Sequence, residues 1–361
     1  MTDIDLLMMN RCIQLAKQAE GKTSPNPLVG AVIVKNGEIV GEGYHPQAGL
    51  PHAEVYALQQ AGEKAKNATV YVNLEPCNHY GKTPPCTEAL IGAGVKRVVV
   101  GMIDPDERVS GRGIKRLAES GIEVKIGVAE DACLRLNEAF IHRVKTGFPF
   151  GVFKYAMTLD GKIATDTGHS QWITGKSARH FVHELRSISS AVIIGGNTLR
   201  RDNPLLTTHG LTSHNPLRVV ITASFDLPTS AQLWQQDTAK TVVFTTPQPD
   251  SSLKDSLLSQ GVEIVEIANL NTTMVMENLA KRGCNSVLWE CGGNLAKDAI
   301  ASGNIQKIYC FIAPKIIGGK GLFSPIGDMK IDNMNNALAL KNTSIRQIDT
   351  DFLIEGYLNF N

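Results

Sequence analysis

Residues 5–20 of MTDIDLLMMNRCIQLAKQAE read as an amphipathic helix, with Asp3 and Asp5 ahead of the apolar residues. AVIVKNGEIVGEGY (31–44) then predicts two short strands around the Asn36-Gly37 turn, a strong hairpin signal. From there the pattern alternates: helix over 52–62, strand over 68–77, helix over 84–94 ended by glycine, buried-type strand over 96–104, helix over 111–121 and strand over 122–128. A last helix is predicted through DACLRLNEAFIHRVKTG (131–147) before the pattern restarts with the strand of GVFKYAMTLDGKIA. SAVIIGG, PLRVVITAS, KTVVFTT, GVEIVEI and NSVLWECGG then read as strands, with helices such as SARHFVHELRS between several of them. The tail, IYCFIAPKIIGGKGLF followed by IRQIDTDFLIEGYL, is β-rich and suits a sheet edge or hairpin. Strands alternating with helices indicate α/β layers.

Length turns this pattern into two bodies. A chain of 361 residues exceeds one ordinary core, so domains over 1–147 and 148–361 are expected. With 43% hydrophobic and 20% charged residues the composition is that of a soluble globular protein. A net charge of +1 with interleaved signs gives no footprint for nucleic acid. The amino terminus lacks the basic region of a secretory signal, and no run is long and apolar enough to span a bilayer, so a cytoplasmic protein acting on small molecules is expected. Predicted sheet edges favour a homo-oligomer. Of seven cysteines, Cys12, Cys133, Cys284, Cys291 and Cys310 are scattered and read as small buried residues.

Cys77 and Cys86 stand in different company. In HAEVYALQQAGEKAKNATVYVNLEPCNHYGKTPPC (52–86), His52, Cys77 and Cys86 supply the three protein ligands that a hydrolytic zinc needs beside one open position. His52 and Cys77 fall at or just before predicted helix starts, where unpaired N–H groups favour thiolate and hydroxide. Glu54 is then free for proton work, provided the first turn is irregular, because residues two apart on an ideal helix diverge. The blander alternatives are a helix that happens to contain HAE and a structural zinc completed by nearby His79; a glutamate beside three ligands points instead to the open catalytic form.

The segment resembles the zinc-dependent nucleobase deaminases, with their H-x-E and P-C-x-x-C pattern. It departs in having eight residues, NHYGKTPP, between the cysteines where the common pattern has two. Together with SPNPLVGAVIV (24–34) and GYHPQAGLPHAE (43–54), LEPCNHYGKTPPC is similar to one branch, the pyrimidine deaminase half of the bifunctional riboflavin-biosynthesis family, over most of 5–147. That resemblance implies a cytidine-deaminase-like three-layer fold in which His52, Cys77 and Cys86 hold zinc and Glu54 shuttles the proton. It further implies that Asn26, His45, His79 and Lys82 contact the substrate, the last three on its sugar-phosphate side.

No GxGxxG appears in the chain, since GEGYHP (41–46) and GRGIKR (111–116) break the pattern at their last position. LWECGGNLAKDAI (288–300) runs from a strand through Gly292-Gly293 into a helix, a place that suits phosphate but equally a simple tight turn. With KYAMTLDGKIAT (154–165), SQWITG (170–175) and NTLRRDNPLLTT (197–208), it is similar to the reductase half of the same family, of dihydrofolate-reductase-like fold, over 148–361. The resemblance implies NADPH near Ala156, Trp172, Thr198, Asp202, Ser224 and the turn-helix of Gly292, Gly293, Asn294, Leu295, Ala296, Lys297 and Asp298. It places Ser170, Arg186, Leu206 and Glu290 near substrate, with Arg186 the natural phosphate partner. His209 stands where many relatives carry arginine, which would make phosphate affinity weaker or pH-sensitive.

The expected function is therefore hydrolytic deamination of 2,5-diamino-6-(5-phosphoribosylamino)pyrimidin-4(3H)-one to 5-amino-6-(5-phosphoribosylamino)uracil, then NADPH-dependent reduction of its ribosyl to a ribityl group. One rival is a deaminase of cytidine, guanine or tRNA with a non-reducing second domain, which predicts zinc but no NADPH oxidation. Another is a non-catalytic nucleotide sensor or RNA-binding protein on a degenerate deaminase fold, against which all three ligands and Glu54 are present.

Overall fold

The computed structural model describes residues 3–80, 84–248, 251–319 and 323–359. The chain divides into two compact units, Met1–Gly147 and Phe148–Asn361.

In the first unit, helix α1 (Asp3–Lys17) precedes the hairpin β1 (Gly30–Lys35) and β2 (Glu38–Tyr44). Asn36 and Gly37 both take positive φ, 53° and 83°, as a tight hairpin turn that follows the strand twist requires. Then come α2 (Ala53–Ala61), β3 (Thr69–Leu74), α3 (Cys86–Gly92), β4 (Arg97–Met102), α4 (Arg112–Glu119), β5 (Glu123–Ile126), α5 (Glu130–Leu136) and α6 (Glu138–Thr146). The sheet order is β2-β1-β3-β4-β5, antiparallel at β2-β1-β3 and parallel from β3 to β5. Alternation along β1 explains the layers. Ala31 and Ile33 pack with Ala57 of α2, Leu90 of α3 and Leu117 of α4, whereas Val32 and Val34 pack with Met9 of α1 and Cys133 of α5. A sheet between two helical layers results.

Two local expectations change. β3 stops at Leu74 instead of reaching Cys77: Glu75 N–H still pairs with Met102 O, but Pro76 has no N–H for a ladder. The single helix expected over 131–147 is broken at Asn137 (φ −105°, ψ 18°). Its buried side chain accepts from Leu28 N–H at 2.8 Å and donates to Leu28 O at 3.0 Å, so a distant loop draws this residue out of helical geometry.

The second unit holds β6 (Phe150–Thr158), α7 (Lys176–Ile188), β7 (Ala191–Gly195), α8 (Gly196–Asp202), β8 (Leu217–Ile221), β9 (Thr241–Thr245), α9 (Ser252–Ser259), β10 (Glu263–Glu266), α10 (Thr272–Lys281), β11 (Ser286–Trp289), α11 (Gly293–Ala301), β12 (Lys307–Ala313), β13 (Leu340–Ile348) and β14 (Asp351–Leu358). Its sheet runs β10-β9-β8-β7-β11-β6-β12-β14-β13. Pairing is parallel from β10 to β12, and the β13–β14 hairpin adds the antiparallel edge that the tail composition suggested. α10 and α11 pack one face through Met276, Leu279 and Ile300, and α7 and α9 pack the other through Leu185 and Leu257. The chain moves outward from β6 to β10 and then returns to place β11 between β7 and β6. Such a reversal opens a crevice at the carboxyl ends of the strands, where ligands of open α/β sheets bind.

Candidate active sites

His52 is the N-cap of α2, in extended conformation (φ −77°, ψ 165°), and Glu54 lies in the first helical turn. This meets the geometric demand posed by the two-residue spacing, because the histidine points from outside the helix. α2 can come this close because β2 presents glycine beneath it: a Cβ on Gly43 would stand 2.4 Å from Ala53 O.

The turn after β3 and the start of α3 bring the two cysteines to the same spot. His52 Nδ1 lies 3.3 Å from Cys86 Sγ and 3.5 Å from Cys77 Sγ, and Cys86 N–H donates to Cys77 Sγ at 3.3 Å. The three ligand atoms lie within 4.8 Å of one another, the only such group of His, Cys, Asp and Glu side chains among the described residues. A hydrogen bond from Cys86, with help from His52, holds Cys77 at about 4. Cys86 is pushed up because its proton is shared with Cys77 and because it is buried. The pair thus carries a negative charge beside a histidine, a donor set that suits a soft divalent cation. Glu54 is buried, Oε2 has no hydrogen-bond partner among the described residues, and burial lifts its carboxyl to about 7, aided by the charge of Cys77. A buried unpartnered carboxylate oxygen beside three ligand atoms fits a reaction centre better than a structural site.

His45 Nδ1 meets Pro51 O and its Nε2 meets Asn26 Nδ2, both at 3.0 Å, and its ring stands edge-on to His52 with centroids 5.4 Å apart. Burial lowers its pKa. The loop that bears Asn26 is pinned from two sides, by Asn137 and by Asn73, whose buried amide accepts from Gly30 N–H at 2.7 Å and donates to Leu28 O at 2.9 Å. His79 is exposed and lies outside the ligand cluster, and Lys82 lies outside the described residues. Sequence reasoning passed over Asn73 and Asn137; an amide inside a buried run, VYVNLEP, was the available signal.

In the second unit Arg186, on α7, is buried with its guanidinium already engaged. Nε and Nη2 donate to the two oxygens of Glu290 at 2.6 and 3.0 Å, and Nη1 donates to Thr207 O at 3.2 Å. The bidentate edge of the residue expected to meet phosphate is thus engaged with Glu290. Burial would raise Glu290, but Arg186 and Lys154 outweigh it and lower its pKa. Lys154, absent from the sequence-derived set, lies 3.9 Å from Glu290. Its signal was a lysine within the apolar strand GVFKYAMT. His209 stacks on His183, centroids 4.1 Å apart, another partner that local pattern did not reveal.

Ser170 Oγ donates to Asp202 Oδ1 at 3.3 Å. Leu206 is 2% exposed, within the apolar core and at φ 52°. Ala296 is likewise core, and its N–H is spent on Gly292 O at 3.1 Å. Of the other residues expected near a cofactor, Gly292 and Ser224 are exposed after β11 and β8, Thr198 is half-buried in α8, Ala156 half-buried near the end of β6, and Gly293, Leu295 and Lys297 half-buried on α11. Asn294 and Asp298 are exposed on that helix, and Asp298 pairs with Lys297 at 3.4 Å. Trp172 is exposed with the Arg179 guanidinium 4.3 Å above its ring. Beside the ends of β8 and β9 lies a cavity of about 310 Å³ lined by Ser224, Phe225, Leu227, Gln248 and Ser251.

Two family descriptions match the chain: the cytidine and deoxycytidylate deaminase zinc-binding region over residues 2–102, and the RibD C-terminal domain over residues 149–354. The riboflavin biosynthesis protein RibD of Synechocystis sp. is 58% identical over 354 residues, covering 98% of this chain and 96% of that protein. RibD of Escherichia coli is 39% identical over 362 residues, covering 96% and 97%. Among solved structures, Acinetobacter baumannii RibD superposes with a TM-score of 0.88 at 38% identity, covering 99% of both chains. A Thermotoga maritima protein described as a diaminohydroxyphosphoribosylaminopyrimidine deaminase/5-amino-6-(5-phosphoribosylamino)uracil reductase gives 0.88 at 37% identity, with the same coverage.

Proposed function

Because this chain belongs to the RibD family and is a bifunctional deaminase/reductase of riboflavin biosynthesis, we propose a division of labour in which the first unit deaminates diaminohydroxyphosphoribosylaminopyrimidine and the second reduces the resulting 5-amino-6-(5-phosphoribosylamino)uracil. The observation that carries the first half is the cluster of His52, Cys77 and Cys86 beside the buried Glu54, whose Oε2 has no hydrogen-bond partner among the described residues. Those three residues would hold zinc, which would supply the Lewis acidity that makes a water nucleophilic at neutral pH. Glu54 takes the proton from that water and passes it to the ring and then to the departing amine, so that C–N is exchanged for C–O and ammonia leaves. Asn26, bonded to His45 on a loop that the Asn73 and Asn137 amides pin at Leu28 and Gly30, orients the pyrimidine. His79 and Lys82 meet the sugar-phosphate side.

In the second unit Ala156, Thr198, the Gly292–Asp298 turn-helix and the recess at Ser224 would hold NADPH, which would supply the hydride. Opening of the ribosyl ring breaks the C1′–O bond and leaves a C1′=N iminium to the pyrimidine amine; hydride would then add to C1′, and the released ring oxygen requires a proton. Lys154, whose ammonium is destabilised by burial, is the donor suited to that step. Glu290 orients Lys154 and Arg186, and Ser170 with Asp202 completes the polar wall.

The test follows ammonia release and NADPH oxidation together in zinc-replete protein. Ammonia is expected without NADPH, and oxidation one for one once it is added. Glu54→Gln is expected to lower ammonia release about 10²–10⁴-fold while oxidation on supplied deaminated intermediate persists. Absence of ammonia from the unaltered enzyme sinks the substrate assignment; ammonia without oxidation sinks the reductase half.

A further inference from the structure

Between the end of β3 and Cys77 lies a residue that neither ligates nor reaches the reacting atoms, yet its carboxylate accepts four backbone hydrogen bonds. Glu75 N–H donates to Met102 O at 2.9 Å, carrying the β3–β4 pairing one step past the strand. Its side chain is then buried, 5% exposed. Oε2 accepts from Asp104 N–H at 3.2 Å and Gly111 N–H at 2.9 Å, and Oε1 accepts from Gly113 N–H at 2.9 Å and Ile114 N–H at 3.3 Å. Three of these donors are the amino-terminal N–H groups of α4, which a helix leaves unpaired, and its N-cap, Gly111, has no side chain to take them. A carboxylate satisfies all of them and meets the positive end of the helix.

From α4 the contacts continue to both cysteines. A Cβ on Gly113 would stand 2.2 Å from Pro76 O, so the first turn of the helix lies directly on the metal-ligand turn. Asn78 Nδ2 donates to Arg112 O at 3.3 Å and its Oδ1 accepts from Thr87 Oγ1 at 2.9 Å. Thr87 N–H in turn donates to Cys77 O at 3.2 Å, next to Cys86.

We infer that Glu75 is a positioning residue of the metal centre: by fastening the amino end of α4 it makes that helix the abutment against which the sulfurs of Cys77 and Cys86 are set before a cation arrives. This rests on the proposed zinc site. Groups that orient metal ligands without touching the metal typically set affinity 10–100-fold. Glutamine has one acceptor oxygen and would aim its NH₂ at two N–H donors, so Glu75→Gln undoes the brace while preserving shape.

The experiment measures zinc affinity by competition with a chromophoric chelator, and the visible ligand-field bands of the cobalt(II)-substituted protein. Glu75→Gln is expected to bind zinc about 10–100-fold more weakly and to shift the cobalt bands. Gly113→Ala, which presses on Pro76 from the helix side, is expected to do the same, and decides the matter should Glu75→Gln fail to fold. Arg116→Met removes the α4 ion pair with Glu88 (2.7 Å) but leaves the helix start alone, so wild-type affinity and bands are expected. Unchanged affinity and bands in folded Glu75→Gln or in Gly113→Ala overturn the inference, whatever happens to stability. Equal shifts in Arg116→Met also overturn it, since any loosening of α4 would then suffice. Failure of the unaltered protein to bind zinc at His52, Cys77 and Cys86 brings down the zinc reading itself, an outcome separable from the others.

Discussion

Glu290 sits between two cations, Arg186 at 2.6 Å and Lys154 at 3.9 Å, in a place where all three are largely removed from water. Replacing one partner of such a group leaves the others buried without compensation, which costs far more than the pair contributes net. Glu290→Gln is therefore expected to lower the stability of the second unit by about 3–5 kcal/mol. All three tryptophans, Trp172, Trp234 and Trp289, lie in this unit, so urea unfolding of the whole protein followed by tryptophan fluorescence reads it directly. The neighbouring His183 is lowered from 6.5 to about 4 by burial first, then by His209 and Arg186 and, less, His180, with Glu290 opposing. The folded state therefore resists protonation that the unfolded chain accepts. Stability from this residue is complete above about pH 6.5 and declines as pH falls from there towards 4. Fluorescence-detected urea midpoints at pH 7 and pH 5 are expected to lie closer together in His183→Asn than in the unaltered protein. Arg186 and Glu290 were each visible in the motif order, but their mutual pairing was not. Nothing in a one-dimensional pattern says which of two charges will face solvent.

Helix α2 carries both His52 and Glu54, and its distance from the sheet is set by β2. Gly41 and Gly43 offer no side chain under it: a Cβ at 41 would meet Ala57 O at 2.2 Å and one at 43 would meet Ala53 O at 2.4 Å. Gly43→Ala forces the helix outward at the very turn that holds the histidine. Overpacking of this kind costs about 1–3 kcal/mol, and the expected result is lowered ammonia release with unaltered NADPH oxidation on the supplied intermediate. Equal loss of both activities would contradict this placement. Element existence was readable because periodicity is local, as at the Asn36-Gly37 hairpin. Element ends were less so: Asn137 breaks a segment whose pattern continues as helix, since its amide finds Leu28, 109 residues away, a better partner than helical geometry allows.

At the scale of the whole molecule, each unit has its own apolar cores and its own polar centre, with no ligand atom of the cysteine cluster drawn from beyond Gly147. Removal of zinc with a strong chelator is accordingly expected to abolish ammonia release and to leave reduction of supplied deaminated intermediate intact, with zinc alone restoring the first activity. Loss of both on chelation would mean that the reductase centre also depends on the metal. The near-neutral balance, +1 over 361 residues, gives the chain no broad electrostatic field of one sign.

The α/β alternation, the hairpin and the candidate grouping of His52, Cys77 and Cys86 were already legible in the sequence, because strand and helix periods are local properties and because HAE, Pro-Cys and a second cysteine at a helix start form a rare conjunction. Tertiary structure alone decided that Glu75 would gather four N–H groups from residues 29 to 39 positions away, that Arg186 would spend its fork on Glu290, 104 residues on, and that His183 would stack on His209. The reason is common to all three. A buried polar side chain must find a partner, and which partner is in reach depends on how the strands order themselves, information that a residue's own neighbours in sequence do not contain.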